Sequence, residues 1–508
     1  MFNQKILCIG TNNSITDLEV SKRSQTYKTI NHGLITDHNF IPEEIGYYHT
    51  TTVDIPVGTH VELGKRFDKV ILLDQSLDQW SHWKMLLSSY KIMQELSNLG
   101  VSTDYKYNKN IEHISYFENL VQKNKSFCIY PWVLLQQEDV NVTACPKNRQ
   151  KITTITEVGD WQTNKDFTAI RNDMLKGNKV KGCEQCYYEE RVGVVSTRQF
   201  ETLDWVGKLE LKNVEDLKNL TEPKYYEIRL GNTCNMACRM CIPEYSNIID
   251  KEFKELNILQ FKTGYQEEGY SNTKHIDIEK LDKGSRVYFT GGEPTVHEEF
   301  YSFMERCIEV GRTDFDFCLG YNGKRLTKKM LDMFSHFSNM NFSFSIDGYG
   351  KINDYIRSYS DWDTIISNAK TLRAHGHTIS METIPSIYNA NNLHLLLEFF
   401  DREFPESVQF LQLEQQHPGG YLSAYAHPDP ISCVESLEKV KKTQKYLTDG
   451  RGGRSIIDSL LNHYYKNPKP DLVKLKSFYN FNDKLDKKRG TLLKDYLPEL
   501  DAGRQFLK

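Results

Sequence analysis

Seven of the eleven cysteines in this chain fall into two groups. The first lies in RLGNTCNMACRMC, where Cys234, Cys238 and Cys241 are spaced C-x3-C-x2-C just after the apolar segment YYEIRL. Three thiolates can hold three irons of a [4Fe–4S] cluster and leave the fourth iron open to a ligand. Zinc fits this trio poorly, because a structural zinc takes four ligands, usually from paired C-x2-C units. The second group is Cys128, Cys145, Cys183 and Cys186, spaced C-x16-C-x37-C-x2-C. Four thiolates suit a closed site, and spacing leaves structural zinc and a fully ligated [4Fe–4S] cluster both open. Cys8, Cys307, Cys318 and Cys433 stand alone in apolar or helical contexts and read as packing residues.

The elements that must position these groups follow from periodicity. Residues 222–425 alternate short apolar strands (YYEIRL, RVYFTG, DFCLGY, FSFSID, TISMETI, VQFLQL) with helical segments such as 299–311, 326–338 and 391–402. That rhythm predicts βα units and a parallel sheet, open or closed as a barrel. Chemistry-bearing residues gather at the strand ends. RVYF runs into Thr290-Gly291-Gly292-Glu293-Pro294, whose paired glycines allow close backbone approach. DFCLGY closes on Tyr321-Asn322-Gly323, and FSFSIDG ends on Ser345 and Asp347, followed by Arg357. Glu227 and Arg229 alternate on the first strand and so share a face, as an ion pair or as substrate contacts.

Residues 1–115 read as a separate α/β unit, with KILCIG and KVILLD as buried strands and a helix between Gln79 and Leu99. Two strands alternating with a helix suggest a Rossmann-like layer, but the turn TNNS lacks G-x-G-x-x-G, so a structural or partner-docking role fits best. Its segment WSHWKMLLSSYK reads as core helix. Residues 120–200 hold the four-cysteine group, and residues 430–508 are charged and helical, broken by Pro468 and Pro470.

The C-x3-C-x2-C loop and the GGEP segment after the next strand resemble the signature loops of the radical S-adenosylmethionine (SAM) superfamily. The resemblance implies a partial (β/α)6 TIM-like barrel and an open-iron [4Fe–4S] cluster on Cys234, Cys238 and Cys241. The free iron would chelate the amino and carboxylate groups of SAM, and cleavage would give a 5′-deoxyadenosyl radical that takes hydrogen from substrate. It also implies a SAM site built from Met240, Thr290, Gly291, Gly292, Glu293, Asn322, Ser345 and Arg357. Met240 replaces the aromatic residue that often precedes the last cysteine. The four-cysteine region is similar to a twitch or SPASM-type auxiliary module, which implies a second [4Fe–4S] cluster. Four cysteines are closer to the one-cluster twitch type, and here the module precedes the barrel. An external electron donor of flavodoxin or ferredoxin type is implied as well. The substrate would be a peptide, a protein side chain or a small molecule such as a sugar or nucleotide.

Composition bounds the alternatives. The chain has 508 residues, 39% hydrophobic and 26% charged, with 29 Tyr and 25 Phe, which is globular rather than disordered. The net charge of −4 carries no electrostatic footprint for nucleic acid, so an RNA-modifying enzyme ranks low. No stretch nears the ~20 apolar residues of a membrane helix, and the N-terminus reads as a strand, so the chain is expected in the cytoplasm. A non-catalytic metal-binding or electron-transfer protein would explain both cysteine groups, but not GGEP or the strand-end residues.

Overall fold

The computed structural model describes five strands before residue 106, and then residues 111–507 apart from 139, 149, 263–272, 339, 415–416 and 445–452. The helix expected over 79–99 lies outside the described residues. The chain divides into two compact units, Met1–Cys128 with Arg198–Asn219, and Ile129–Thr197 with Leu220–Lys508.

The first unit contains β1 (Ile6–Gly10), β2 (Tyr27–Asn31), β3 (Tyr47–His49), β4 (Lys69–Leu72) and β5 (Ser102–Tyr105). They form one parallel sheet in the order β3-β2-β1-β4-β5, with the two expected strands, β1 and β4, side by side. Later in this unit the buried Arg198 donates from Nη1 to the carbonyls of Val121, Asn124 and Phe127 at 3.2, 3.2 and 2.9 Å. Val121 lies in the last turn of the helix Ile111–Lys123, where carbonyls lack intrahelical partners, and Asn124 and Phe127 follow it. Arg198 thereby fixes the segment that leads into Cys128.

The second unit is built on a sheet of nine strands among the described residues. Its first strands are β6 (Leu134–Glu138), β7 (Asn141–Thr143) and β8 (Thr153–Thr154). β9 (Tyr225–Arg229) follows, and β10 (Ala237–Cys238) belongs to a separate two-stranded sheet. Next come β11 (Arg286–Thr290), β12 (Asp316–Tyr321) and β13 (Met340–Ser345). β14 (Arg357–Ser358) pairs with β10, and β15 (Thr378–Thr383) and β16 (Val408–Leu411) complete the large sheet. All six strands expected from the alternation are present and mutually parallel, from β9 to β16. β6 adds a seventh parallel strand on β9, and β7 and β8 extend it antiparallel. The cysteine-rich stretch thus shares its sheet with the strands after it.

Alternation decides which face is apolar. Along β11 and β12 every second residue is buried, placing Val287, Phe289, Phe317 and Leu319 on one side. The helix Glu298–Val310 covers that side with Phe300, Phe303, Met304 and Cys307, the i, i+3, i+4, i+7 stripe of an amphipathic helix. Phe289 meets Phe300, Phe303 and Phe317 with ring centroids 5.2–5.7 Å apart. The expected helices 326–338 and 391–402 appear as Lys328–Phe334 and Leu393–Glu403, the first starting after the Thr327 cap. The C-terminal stretch is helical over Pro430–Val440, Gly453–Lys466 and Leu472–Arg489. Pro468 and Pro470 fall in the last break, and the Asp471 side chain caps the final long helix.

Candidate active site

β9 delivers the chain into the cysteine loop at Gly231, whose φ of +129° lies in the region that favours glycine. The loop is then fixed from three sides. Ala237 and Cys238 pair with Ser358 and Arg357 across the β10–β14 ladder, and the Arg239 N–H donates to Ile356 O at 2.7 Å. Asn247 Oδ1 accepts the Cys234 N–H at 3.1 Å. From the end of β11, the Gly292 N–H donates to Gly231 O and the Glu293 N–H to Thr233 O, both at 2.9 Å. The second glycine has a plain reason to be there. A Cβ on Gly292 would lie 2.0 Å from the Thr233 carbonyl oxygen. The close approach that the paired glycines allow is therefore first of all to the cysteine loop.

Burial pushes all three thiols up in pKa, Cys234 to about 12. After burial, Cys238 and Cys234 raise Cys241 further, so the three sulfurs share one electrostatic environment. Among the described residues no three His, Cys, Asp or Glu side chains form a group ready to hold a single metal ion. A donor set of three nearby thiols fits the cluster, since a bound cation takes such groups as thiolates.

The strand-end residues surround this loop. Glu293 is buried, and burial pushes its carboxyl up to about 7. Its Oε2 accepts the Asn322 N–H at 2.9 Å, and its Oε1 accepts the Thr295 N–H and hydroxyl at 3.2 and 2.6 Å. The carboxylate thus ties the β11 turn to the end of β12. Asn322 Nδ2 reaches Asn235 Oδ1 at 2.6 Å, and Lys324 Nζ reaches the Asn235 carbonyl at 2.8 Å, closing a further contact on the cysteine loop. Arg357 Nε stands 2.7 Å from Asp347 Oδ2, close as an ion pair but off the line of a hydrogen bond. Its Nη1 donates to Cys238 Sγ at 3.7 Å. Burial opposes the charge on Arg357, but Asp347 together with Cys238 and Cys241 outweighs it, so the guanidinium is held firmly protonated. Ser345 ends β13 opposite Glu382 of β15. Met240 is buried in an apolar cluster with Ile249, Phe253 and Tyr355.

Sequence reasoning missed the partner of Arg229. It is Glu138 on β6, opposite in register and 2.8 Å away, with Tyr245 stacked on the guanidinium at 4.0 Å. Glu227 instead accepts the Tyr225 hydroxyl at 2.9 Å. Glu227, Tyr288, Cys318 and Asn341 form one cross-strand row on the sheet face opposite the phenylalanines. Asn235, Lys324 and Arg239 also carried no signal in the sequence, because their partners are far along the chain.

In the four-cysteine region, Asn148 links the turn after Cys145 to Cys183. Cys145 Sγ accepts the Lys147 N–H at 3.4 Å, and the Asn148 N–H donates to Cys145 O at 3.0 Å. Asn148 Nδ2 then reaches Cys183 Sγ at 4.0 Å and Lys181 O at 3.2 Å. Gly182, at φ +89°, makes room, since a Cβ there would lie 1.9 Å from Asn148 Oδ1. Cys183 precedes the helix Glu184–Arg191 and Cys186 lies in its first turn, while Lys147 pairs with Glu189 of the same helix at 2.8 Å. Cys128 is the last residue of the first unit.

With this geometry in view, residues 228–411, from β9 to β16, match the model for the Radical SAM superfamily. This segment is a radical SAM domain. The family's cofactors are a [4Fe–4S] cluster and SAM. Among solved structures, the chain is similar to native anSMEcpe with bound AdoMet, at 13% identity over 43% of this chain and 59% of that one, with a TM-score of 0.32. It is also similar to Streptococcus suis SuiB bound to S-adenosylmethionine, at 15% identity over 57% and 61%, with a TM-score of 0.31. The chain spans about three-fifths of the length of each. No curated protein matches the sequence significantly. No helix among the described residues is long and apolar enough to cross a membrane.

Proposed function

We propose that this protein is an enzyme that binds a [4Fe–4S] cluster on Cys234, Cys238 and Cys241 and cleaves SAM reductively. The observation that carries the reading is the seating of the GGEP turn on the cysteine loop by the Gly292 and Glu293 N–H groups. It joins the two signatures into one surface. When bound, the cluster supplies the electron that breaks the sulfonium C–S bond, giving methionine and a 5′-deoxyadenosyl radical that takes hydrogen from substrate.

The chain's own residues do the positioning. The Thr290 carbonyl is tied to the Leu230 N–H, so the Gly291 and Gly292 carbonyls after it would be the ones to meet the SAM ammonium, and Glu293 holds that turn in shape through Thr295 and Asn322. Arg357, fixed by Asp347 beside Cys238, offers a fork to the SAM carboxylate, with Ser345 as its neighbour. Met240 supports the adenine side. The polar row Glu227, Tyr288, Cys318, Asn341 meets the substrate, a peptide or small molecule. The six parallel strands from β9 to β16 act as a partial (β/α)6 barrel, and the first unit as a Rossmann-like domain. Cys128, Cys145, Cys183 and Cys186 would hold an auxiliary [4Fe–4S] cluster of the twitch type, which, were the reaction an oxidation, would supply an electron acceptor. An external flavodoxin- or ferredoxin-like protein supplies electrons.

The test is electron paramagnetic resonance of anaerobically reconstituted, dithionite-reduced protein. Adding SAM shifts the g values if SAM ligates the cluster. A spectrum indifferent to SAM contradicts the reading.

A further inference from the structure

Between the second and third cysteines of the trio lies Arg239, with 0% of its surface exposed. Its side chain leaves the loop and runs into the C-terminal helix Leu472–Arg489. Nε donates to Tyr355 O at 2.8 Å and Nη1 to Asn482 Oδ1 at 3.1 Å. Nη2 donates to Asp486 Oδ1 at 2.7 Å and to Thr491 Oγ1 at 2.9 Å. The guanidinium carbon sits 3.7 Å from the centroid of the Tyr355 ring. Asp486 is just as engaged, accepting the Tyr355 hydroxyl, the Thr491 hydroxyl and the Leu493 N–H at 2.7–3.1 Å. A second tie runs in parallel, because Arg489 of the same helix donates to Ser358 Oγ at 3.0 Å, and Ser358 pairs with Ala237 beside Cys238.

A buried ion pair is a poor way to add stability, since apolar residues of similar volume often serve as well. Its best-attested use is to fix register. Here the fixed register is that of the two residues between Cys238 and Cys241. We propose that Asp486, acting through Arg239, is a positioning residue for the cysteine trio. The C-terminal helix thereby sets where Cys238 and Cys241 present their sulfurs. The proposal rests on the reading of the trio as cluster ligands.

The experiment uses the full chain in a Cys183→Ala/Cys186→Ala background, so that bound iron reports the trio. Asp486→Asn keeps the size of the side chain and removes its charge. Thr491→Val removes one hydrogen bond from both Arg239 and Asp486 and is the milder change. Each variant is reconstituted anaerobically. Its readouts are iron retained against a chelator, the spectrum of the reduced cluster, and thermal unfolding of the apoprotein. Asp486→Asn is expected to weaken iron retention about tenfold, the range seen when groups behind metal ligands are changed. Thr491→Val is expected to shift the cluster's g values while the apoprotein stays folded. A folded Asp486→Asn protein with the parent's iron and spectrum overturns the proposal. If Asp486→Asn does not fold, an unchanged spectrum in Thr491→Val overturns it. A parent that takes up no iron overturns the reading of the trio, and the proposal with it.

Discussion

His427 is fully buried and accepts the Asp429 N–H on Nδ1 at 3.1 Å. Burial lowers its pKa from 6.5 to about 4, although Asp429 pulls the other way. Between these values the unfolded chain binds the proton and the folded one does not. Stability is therefore complete above about pH 6.5 and is lost as pH falls towards 4, by about 3 kcal/mol at most. Urea unfolding of the apoprotein at several pH values should show this loss, and His427→Gln should flatten it. Glu293 makes a separate case. Both its oxygens are in use, so Glu293→Gln sets an amide N–H against the Asn322 or Thr295 donors. The expected cost is about 1–3 kcal/mol of stability, read from denaturant midpoints, with SAM binding weakened alongside. The sequence announces Glu293 by its motif but not what it holds. Its partner Asn322 is a strand away, and a motif says nothing of partners across strands.

At the scale of elements, the strands were legible because they alternate. RVYFT and DFCLGY set one face apolar and the other polar, and they stand as written. β6 was hidden because LLQQE sits within the cysteine-rich stretch, and its place beside β9 is a long-range pairing. The two-residue ladder of β10 and β14 is shorter than any periodicity can report. Yet that ladder and the GGEP turn hold the cysteine loop. Gly292→Ala tests the second hold, since its Cβ would press on the backbone oxygen of Thr233. The expected loss is about 1–3 kcal/mol, as for other overpacked sites, and SAM binding should fall further than stability alone explains. Calorimetric titration of the reconstituted variant checks this.

Across the whole molecule the quantity to count is the number of clusters the chain carries. Spacing alone separates the two cysteine groups, and Asn148 bonds the Cys145 carbonyl through its N–H and Cys183 Sγ through its side chain. Two clusters predict about eight irons per chain after anaerobic reconstitution, and about four in Cys183→Ala/Cys186→Ala. About four irons with one zinc would make the second site structural and leave the first untouched. The most direct test of the central claim is SAM turnover by reduced protein under anaerobic conditions, with 5′-deoxyadenosine measured by chromatography. The wild-type chain is predicted to form it, and Cys234→Ala to form none. Equal yields from both proteins, or none from a wild type holding its full iron, would contradict the account.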